Sequence, residues 1–354
     1  MSENMSENSL SKTKEQKLPF LDDFLLFLTT SNYSTATIRN YERDLLTFDS
    51  FLSENNIDFQ DITKKTVTIY TADLLAEDRT TLSRESQASK LSPKSINRML
   101  TSIRSYLTYL IDTDYDTPIL PQHIKLMKLG KKVMHLPPIE TLIQFIESPE
   151  RFEKSEFIGI RNRVVLELIF ASGMRISEVV SLKTRQVEED GKLYIRGKGN
   201  KERFVYLTPR SLSLLHRYLE LRRQTILDAL PTQFQTQKYI DQFEYVFITK
   251  KNFDTLRDKI EETELPTSLL HSHISENYLQ GKIKKYRLLL GISQPVSAHT
   301  LRHGFATYLA ESGANPAALK VLLGHESLET TTKYVHASDS FAETTHEKYH
   351  PLKK

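Results

Sequence analysis

Between Asp112 and Pro138 the chain loses its periodicity. Four prolines (Pro118, Pro121, Pro137, Pro138), one glycine and a lysine cluster (Lys125, Lys128, Lys131, Lys132) fall in this stretch. Proline-rich, charged and aperiodic sequence reads as a linker. On both sides of it apolar residues recur at intervals of three and four, the period of an amphipathic α-helix. A chain patterned this way is constrained to two mainly helical bodies, and 354 residues suffice for each to bury its own core. The expected organisation is a disordered Ser-, Glu- and Lys-rich tail at 1–17, a helical domain at 18–116, a linker at 117–138 and a second domain at 139–354.

Before the break, Leu18 to Thr30 carries Phe20, Leu21, Phe24, Leu25 and Leu28, and Ser34 to Asn55 carries Ile38, Tyr41, Leu45, Phe48 and Leu52. Asp61 to Leu75 makes a third helix. Ser92-Pro93, a cap followed by a proline at the first helical position, opens a fourth with Ile96, Leu100, Ile103, Leu107 and Leu110 inward. Arg39, Arg43, Lys94, Arg98 and Arg104 lie off these stripes. For any one of them a solubilising role is the commoner reading, and a nucleic-acid contact is the functional one.

After the break, Ile160, Val164, Val165, Leu168 and Ile169 form a buried stripe that Gly173 is placed to stop. Lys192 to Arg196 and Phe204 to Leu207 alternate as strands, joined by a tip that carries Lys198, Lys201 and Arg203. Helices are expected over Ser211–Leu230, Gly281–Leu290, Leu301–Ser312 and Ala317–Leu323. Residues 231–280 are the least legible, with a short strand expected at Tyr245–Ile248. The fold class is therefore mainly α with a small β-sheet (α+β).

Composition sets bounds. Without cysteine there are no disulfides and no thiolate metal sites, which fits a reducing cytoplasm. No apolar run approaches the roughly 18 residues of a membrane span, and the first 17 residues lack the apolar core of a signal peptide. A net charge of +3 with pI ≈ 8.7 is only mildly basic, so a duplex-binding role requires charge concentrated on faces and loops.

Such a concentration of reactive groups exists. His299-Thr300-Leu301-Arg302-His303, Leu323-Gly324-His325 and Tyr334 fall within 36 residues, and Arg175 stands far upstream in Ala171–Glu178, where one apolar helix ends and another begins. Charge builds on the nonbridging oxygens of a phosphodiester under attack, and arginine forks meet those oxygens bidentately. Each piece has an ordinary reading as well. A lone arginine at a helix end is most often a surface ion pair, a loop lysine such as Lys198 is usually solvated, and Tyr334 is one of 16 tyrosines. His299 and His303 sit four apart, but Thr300 stands where a metalloprotease helix has glutamate, so metal binding is the weaker reading.

In this order and spacing, Arg175, Lys198 in Gly-Lys-Gly, His299-x-x-Arg302-His303, Leu-Gly-His325 and Tyr334 resemble the tyrosine recombinase family. The helical first domain resembles that family's SAM-like core-binding domain. Within the family the chain most resembles the Xer recombinases that resolve chromosome dimers, through Gly197-Lys198-Gly199-Asn200-Lys201-Glu202-Arg203, Leu323-Gly324-His325-Glu326-Ser327 and His350-Pro351. Its extra sequence around 76–92 and 231–280 is similar to the single-recombinase XerH type.

The resemblance implies a C-shaped clamp on DNA. Arg175, Arg302 and His325 bind the scissile phosphate, Lys198 is general acid, His299 assists proton transfer and Tyr334 forms a 3′-phosphotyrosyl bond. Glu178 orients Arg175, and His303 plays a supporting part. It implies no metal and no cofactor. The implied partners are double-stranded DNA with a dif-like inverted repeat, a homotetramer on two sites and an FtsK-type translocase, on the nucleoid in the cytoplasm. The apolar strip Phe341, Ala342, Tyr349 and Leu352 makes 341–354 a helix expected to dock in trans on a neighbouring subunit. The rival readings are a mobile-element integrase or transposase, a type IB topoisomerase and a catalytically inactive architectural DNA-binding protein.

Overall fold

Four helices make the first of two units in the computed structural model, which describes residues 17–76, 91–130, 136–197, 202–250, 265 and 267–324. They are α1 (Leu21–Thr30), α2 (Thr35–Glu54), α3 (Lys64–Leu75) and α4 (Pro93–Asp112). Three of them start on a hydroxyl cap: Ser34 accepts from the Thr37 N–H, Thr63 from Thr66 and Ser92 from Ser95. Each such cap stabilises its helix by about 1 kcal/mol. The inward stripes meet in one core built on Phe24, Leu45, Phe48, Leu52, Tyr70, Leu100, Ile103 and Tyr106. Asp44 is buried among them, where it accepts hydrogen bonds from Ser102 and Arg98.

The expected linker begins too early. Ile119 and Ile124 are buried in this first core. Asn97 of α4 also donates to the Met127 carbonyl at 2.9 Å and accepts from the Met127 N–H at 2.7 Å. Residues 119–127 are thus part of the first domain. Their proline and lysine content hid two buried isoleucines too far apart to show a period.

The second unit is organised around α6 (Glu156–Ser172), whose Ile160, Val164, Val165, Leu168 and Ile169 are all at most 1% exposed. Around it pack α5 (Ile139–Phe152), α8 (Pro209–Ala229) and α12 (Ala298–Glu311). The remaining α-helices among the described residues are α7 (Ile176–Val180), α9 (Gln237–Ile240), α10 (Thr267–Leu270), α11 (Glu276–Leu289) and α13 (Pro316–Leu323). β1 (Lys192–Arg196) and β2 (Glu202–Tyr206) pair antiparallel, with Leu193 opposite Val205 and Ile195 opposite Arg203. The structure matches the expected class: mainly helical, with a two-stranded sheet among the described residues.

Residues 245–248 join no named strand. Tyr245 makes an isolated bridge to Lys183, and the Val246 N–H donates to the Leu182 carbonyl at 2.8 Å. The buried Arg222 clamps the same segment through the Phe243 and Tyr245 carbonyls. Among the described residues no helix is long and apolar enough to cross a membrane.

Candidate active site

The site starts where α6 stops. Gly173 is left-handed (φ 66°), and a β-carbon there would lie 2.4 Å from the Phe305 ring, so the turn requires glycine. The reversal puts Arg175 at the N-cap of α7. Its backbone N–H donates to Glu178 Oε2 at 2.8 Å and its Nη1 to Oε1 at 2.9 Å. Nη2 reaches the Gly324 carbonyl at 3.2 Å.

Arg302 arrives from α12. That helix opens on a capping box between Ser297 and Thr300, placing exposed His299 in the first turn and Arg302 three residues on. Arg302 is only 6% exposed, and it donates to the carbonyls of Gly173 at 2.5 Å and Leu323 at 2.6 Å. His303 Nδ1 shares a 3.0 Å hydrogen bond with Thr307 one turn later on the same helix. Among the described residues no group of His, Asp or Glu is arranged to hold a metal ion.

A third arginine completes the cluster. Arg203 on β2 grips Glu178 with both nitrogens of its fork, at 2.9 and 2.7 Å, and donates through Nε to the Leu322 carbonyl at 3.0 Å. Three successive carbonyls at the end of α13, those of Leu322, Leu323 and Gly324, thus accept from three different arginines. A helix C-terminus offers unpaired carbonyls and a partial negative charge, which is why guanidiniums collect there. Gly324 is left-handed (φ 60°), and a β-carbon on it would lie 3.1 Å from the Arg203 side chain. The next residue in the chain is His325.

Glu178 is buried. Burial alone would raise its carboxyl, but the hydrogen bond from Arg203, the Arg175 N–H and the adjoining guanidinium charges hold it below the usual carboxylate range. It is therefore ionised, a carboxylate held between the guanidiniums of Arg175 and Arg203. The excess positive charge reaches solvent through Arg175, whose side chain is one-third exposed. An arrangement of this kind binds an oxyanion, and preorganised cations stabilise the charge that develops on a reacting phosphate.

The structure brings together Arg175, Glu178 and Arg302, with His299 on the helix of Arg302. Lys198, Lys201, His325, Tyr334 and the expected helix 341–354 lie outside the described residues. Arg203 is a correction: expected at the hairpin tip as a DNA contact, it lies in β2 with its side chain 7% exposed and its fork occupied. The strand alternation carried the signal, because a period of two puts Arg203 on the face of Val205, opposite buried Ile195. In the first unit Arg39, Arg43 and Lys94 are exposed, Arg104 is half-buried, and Arg98 is paired with Asp44.

The chain matches the model of the phage integrase family over residues 132–340 and that family's N-terminal SAM-like domain over 21–114. It is 28% identical over 349 residues to tyrosine recombinase XerC of Chlamydia caviae, covering 93% of this chain and 96% of that one. It is likewise 28% identical to XerD of Staphylococcus epidermidis, covering 94% and 98%. Among solved structures it is similar to XerH recombinase bound to a palindromic difH substrate, with TM-score 0.62 and 21% identity, covering 92% of this chain and 83% of that one. A lambda integrase (75–356) dimer on a COC′ core site has TM-score 0.60 at 16% identity, covering 89% and 94%. The chain belongs to the phage integrase family, the tyrosine recombinases, enzymes of DNA strand exchange, and its likeness to the Xer type runs over nearly its whole length.

Proposed function

We propose that this chain cleaves and rejoins double-stranded DNA at a dif-like inverted repeat, resolving chromosome dimers during cell division. The observation that carries the reading is the convergence of Arg175, Arg203 and Arg302 on the carbonyls that lead directly into His325. In this reading Arg175, Arg302 and His325 hold the nonbridging oxygens of the scissile phosphate, and Glu178 orients Arg175. The Tyr334 phenolate attacks phosphorus, the bond to the 5′ oxygen breaks, and Lys198 protonates that oxygen as it leaves. His299 assists the proton transfer, with His303 in a supporting place. The phosphotyrosyl bond conserves the energy of the phosphodiester, so a 5′ hydroxyl from a partner strand reverses the step without a nucleotide or a metal ion.

Four copies acting on two sites carry out the exchange, and an FtsK-type DNA translocase licenses it. Phosphate contacts supply most of the affinity, which falls as salt rises. The helix at 341–354 docks on the neighbouring copy and couples one active site to the next.

The test is to isolate DNA covalently attached to the protein in cells and sequence the junctions. The reading expects one chromosomal inverted repeat. Junctions confined to the ends of a mobile element, or scattered without sequence preference, would replace it with an integrase or a topoisomerase.

A further inference from the structure

We infer that Arg203 is a positioning residue for strand cleavage, holding Glu178 so that Arg175 and the end of α13 keep their places around the reacting phosphate. This rests on the strand-exchange reading above.

Among the described residues, Arg203 joins three parts of the site. Its backbone belongs to β2, which in the sequence directly follows the stretch that carries Lys198. Its fork holds both oxygens of Glu178, which in turn hold the backbone and side chain of Arg175. Its Nε holds the Leu322 carbonyl, and its stem lies against Gly324. With its side chain 7% exposed and Nε, Nη1 and Nη2 all engaged, it does not reach DNA directly.

Its second effect is electrostatic. While Arg203 faces Glu178, the carboxylate's charge is met by a cation that plays no part in binding phosphate. Removing Arg203 leaves Glu178 to its ion pair with Arg175, and draws that guanidinium inward. The phosphate then loses part of its clamp although Arg175 is still present.

The experiment uses the full chain on a nicked duplex carrying its recombination site. Covalent-adduct formation and site affinity are measured separately, per molecule competent to bind. Arg203→Met is expected to slow cleavage by about 100-fold, with affinity within about threefold of wild type. Arg203→Lys, which keeps the charge but not the fork, is expected to recover to within about tenfold of the wild-type rate. Combining Arg203→Met with Glu178→Gln is expected to be no slower than the worse single variant, because the two act as one unit.

Cleavage by Arg203→Met at the wild-type rate overturns the positioning role. So does a loss of affinity with a shallower salt dependence, which would make Arg203 a phosphate contact. If Arg203→Met does not fold, Arg203→Lys decides by the same two readouts: slowed cleavage at unchanged affinity supports the role, and a wild-type rate overturns it. Absence of an adduct from the wild-type control overturns the strand-exchange reading itself, and this role with it.

Discussion

Arg161 and Arg302 are both buried arginines of the second unit that donate to backbone carbonyls, and they differ in what lies around them. Arg161 is 2% exposed and donates to the Ile248 carbonyl at 2.8 Å and the Tyr278 hydroxyl at 2.6 Å. The rings of Phe157 and Tyr278 cover it, with centroids at 5.7 and 5.1 Å. Its neighbour Asn162 donates to the Tyr286 hydroxyl, which donates to Glu153, and Glu153 is paired with Lys282. The Tyr286 phenol is pushed far above its ordinary range by burial and by Glu153, so the phenol keeps its proton and the network is closed on itself.

Arg302 instead shares the end of α13 with two further guanidiniums, Arg203 and Arg175, which hold the Glu178 carboxylate between them, and Arg175 is partly exposed. A buried arginine is therefore not in itself the mark of a site. The mark is an excess of guanidiniums that opens to solvent at one end. Arg161 ties α6 to α11 and to the segment ending at Ile248. The cluster around Arg302 keeps positive charge available at a place where a phosphate can enter.

The largest expected effect tests the open end. Arg175→Lys and Arg302→Lys should each slow strand cleavage by about 100- to 1000-fold while the protein remains folded, since lysine cannot reproduce the bidentate fork. Adduct formation on a nicked duplex measures this, and a near-wild-type rate in either variant would break the contrast with Arg161. Next comes the closed network. Arg161→Met should lower stability by about 1–3 kcal/mol, by removing the guanidinium donors to the Ile248 carbonyl, the Tyr278 hydroxyl and Asn162 Oδ1, yet leave the cleavage rate per folded molecule unchanged. Thermal unfolding beside single-turnover cleavage separates the two effects, and a matching loss of rate would erase the distinction.

The smallest effect sharpens the role of charge. Glu178 has its folded pKa depressed below the unfolded carboxylate value of about 4.3. Its stabilisation is therefore fully present above that value and is lost as pH falls through the folded one. The stability difference between wild type and Glu178→Gln should be constant near neutral pH and shrink below about pH 4. A difference that grows on acidification would show that Glu178 is not held as a carboxylate.

Much of this was legible in the residues, for reasons that differ from place to place. The helices were readable because their cores are simple stripes: Ile96, Leu100, Ile103, Leu107 and Leu110 are all buried on α4. Gly173 was readable as a stop because a left-handed turn favours glycine. Arg175 and Arg302 were readable by their spacing from neighbouring motifs, whereas their carbonyl partners were not. Those bonds join residues 129 and 149 positions apart, and no local pattern encodes them. Arg203 was misread because a basic residue near a hairpin tip looks solvated until the pleat is counted. The segment 119–127 was misread because two isoleucines make no period.

In the proposed reaction this arginine cluster holds a phosphodiester for attack by Tyr334. The most direct measurement compares wild type with Tyr334→Phe on a nicked duplex carrying the recombination site, resolved under denaturing conditions. A protein–DNA band that survives denaturation is expected for wild type, and none for Tyr334→Phe, which should bind the site with unchanged affinity. A denaturation-resistant band from Tyr334→Phe would contradict it and place the nucleophile on another tyrosine, with Tyr349 the first to be tried.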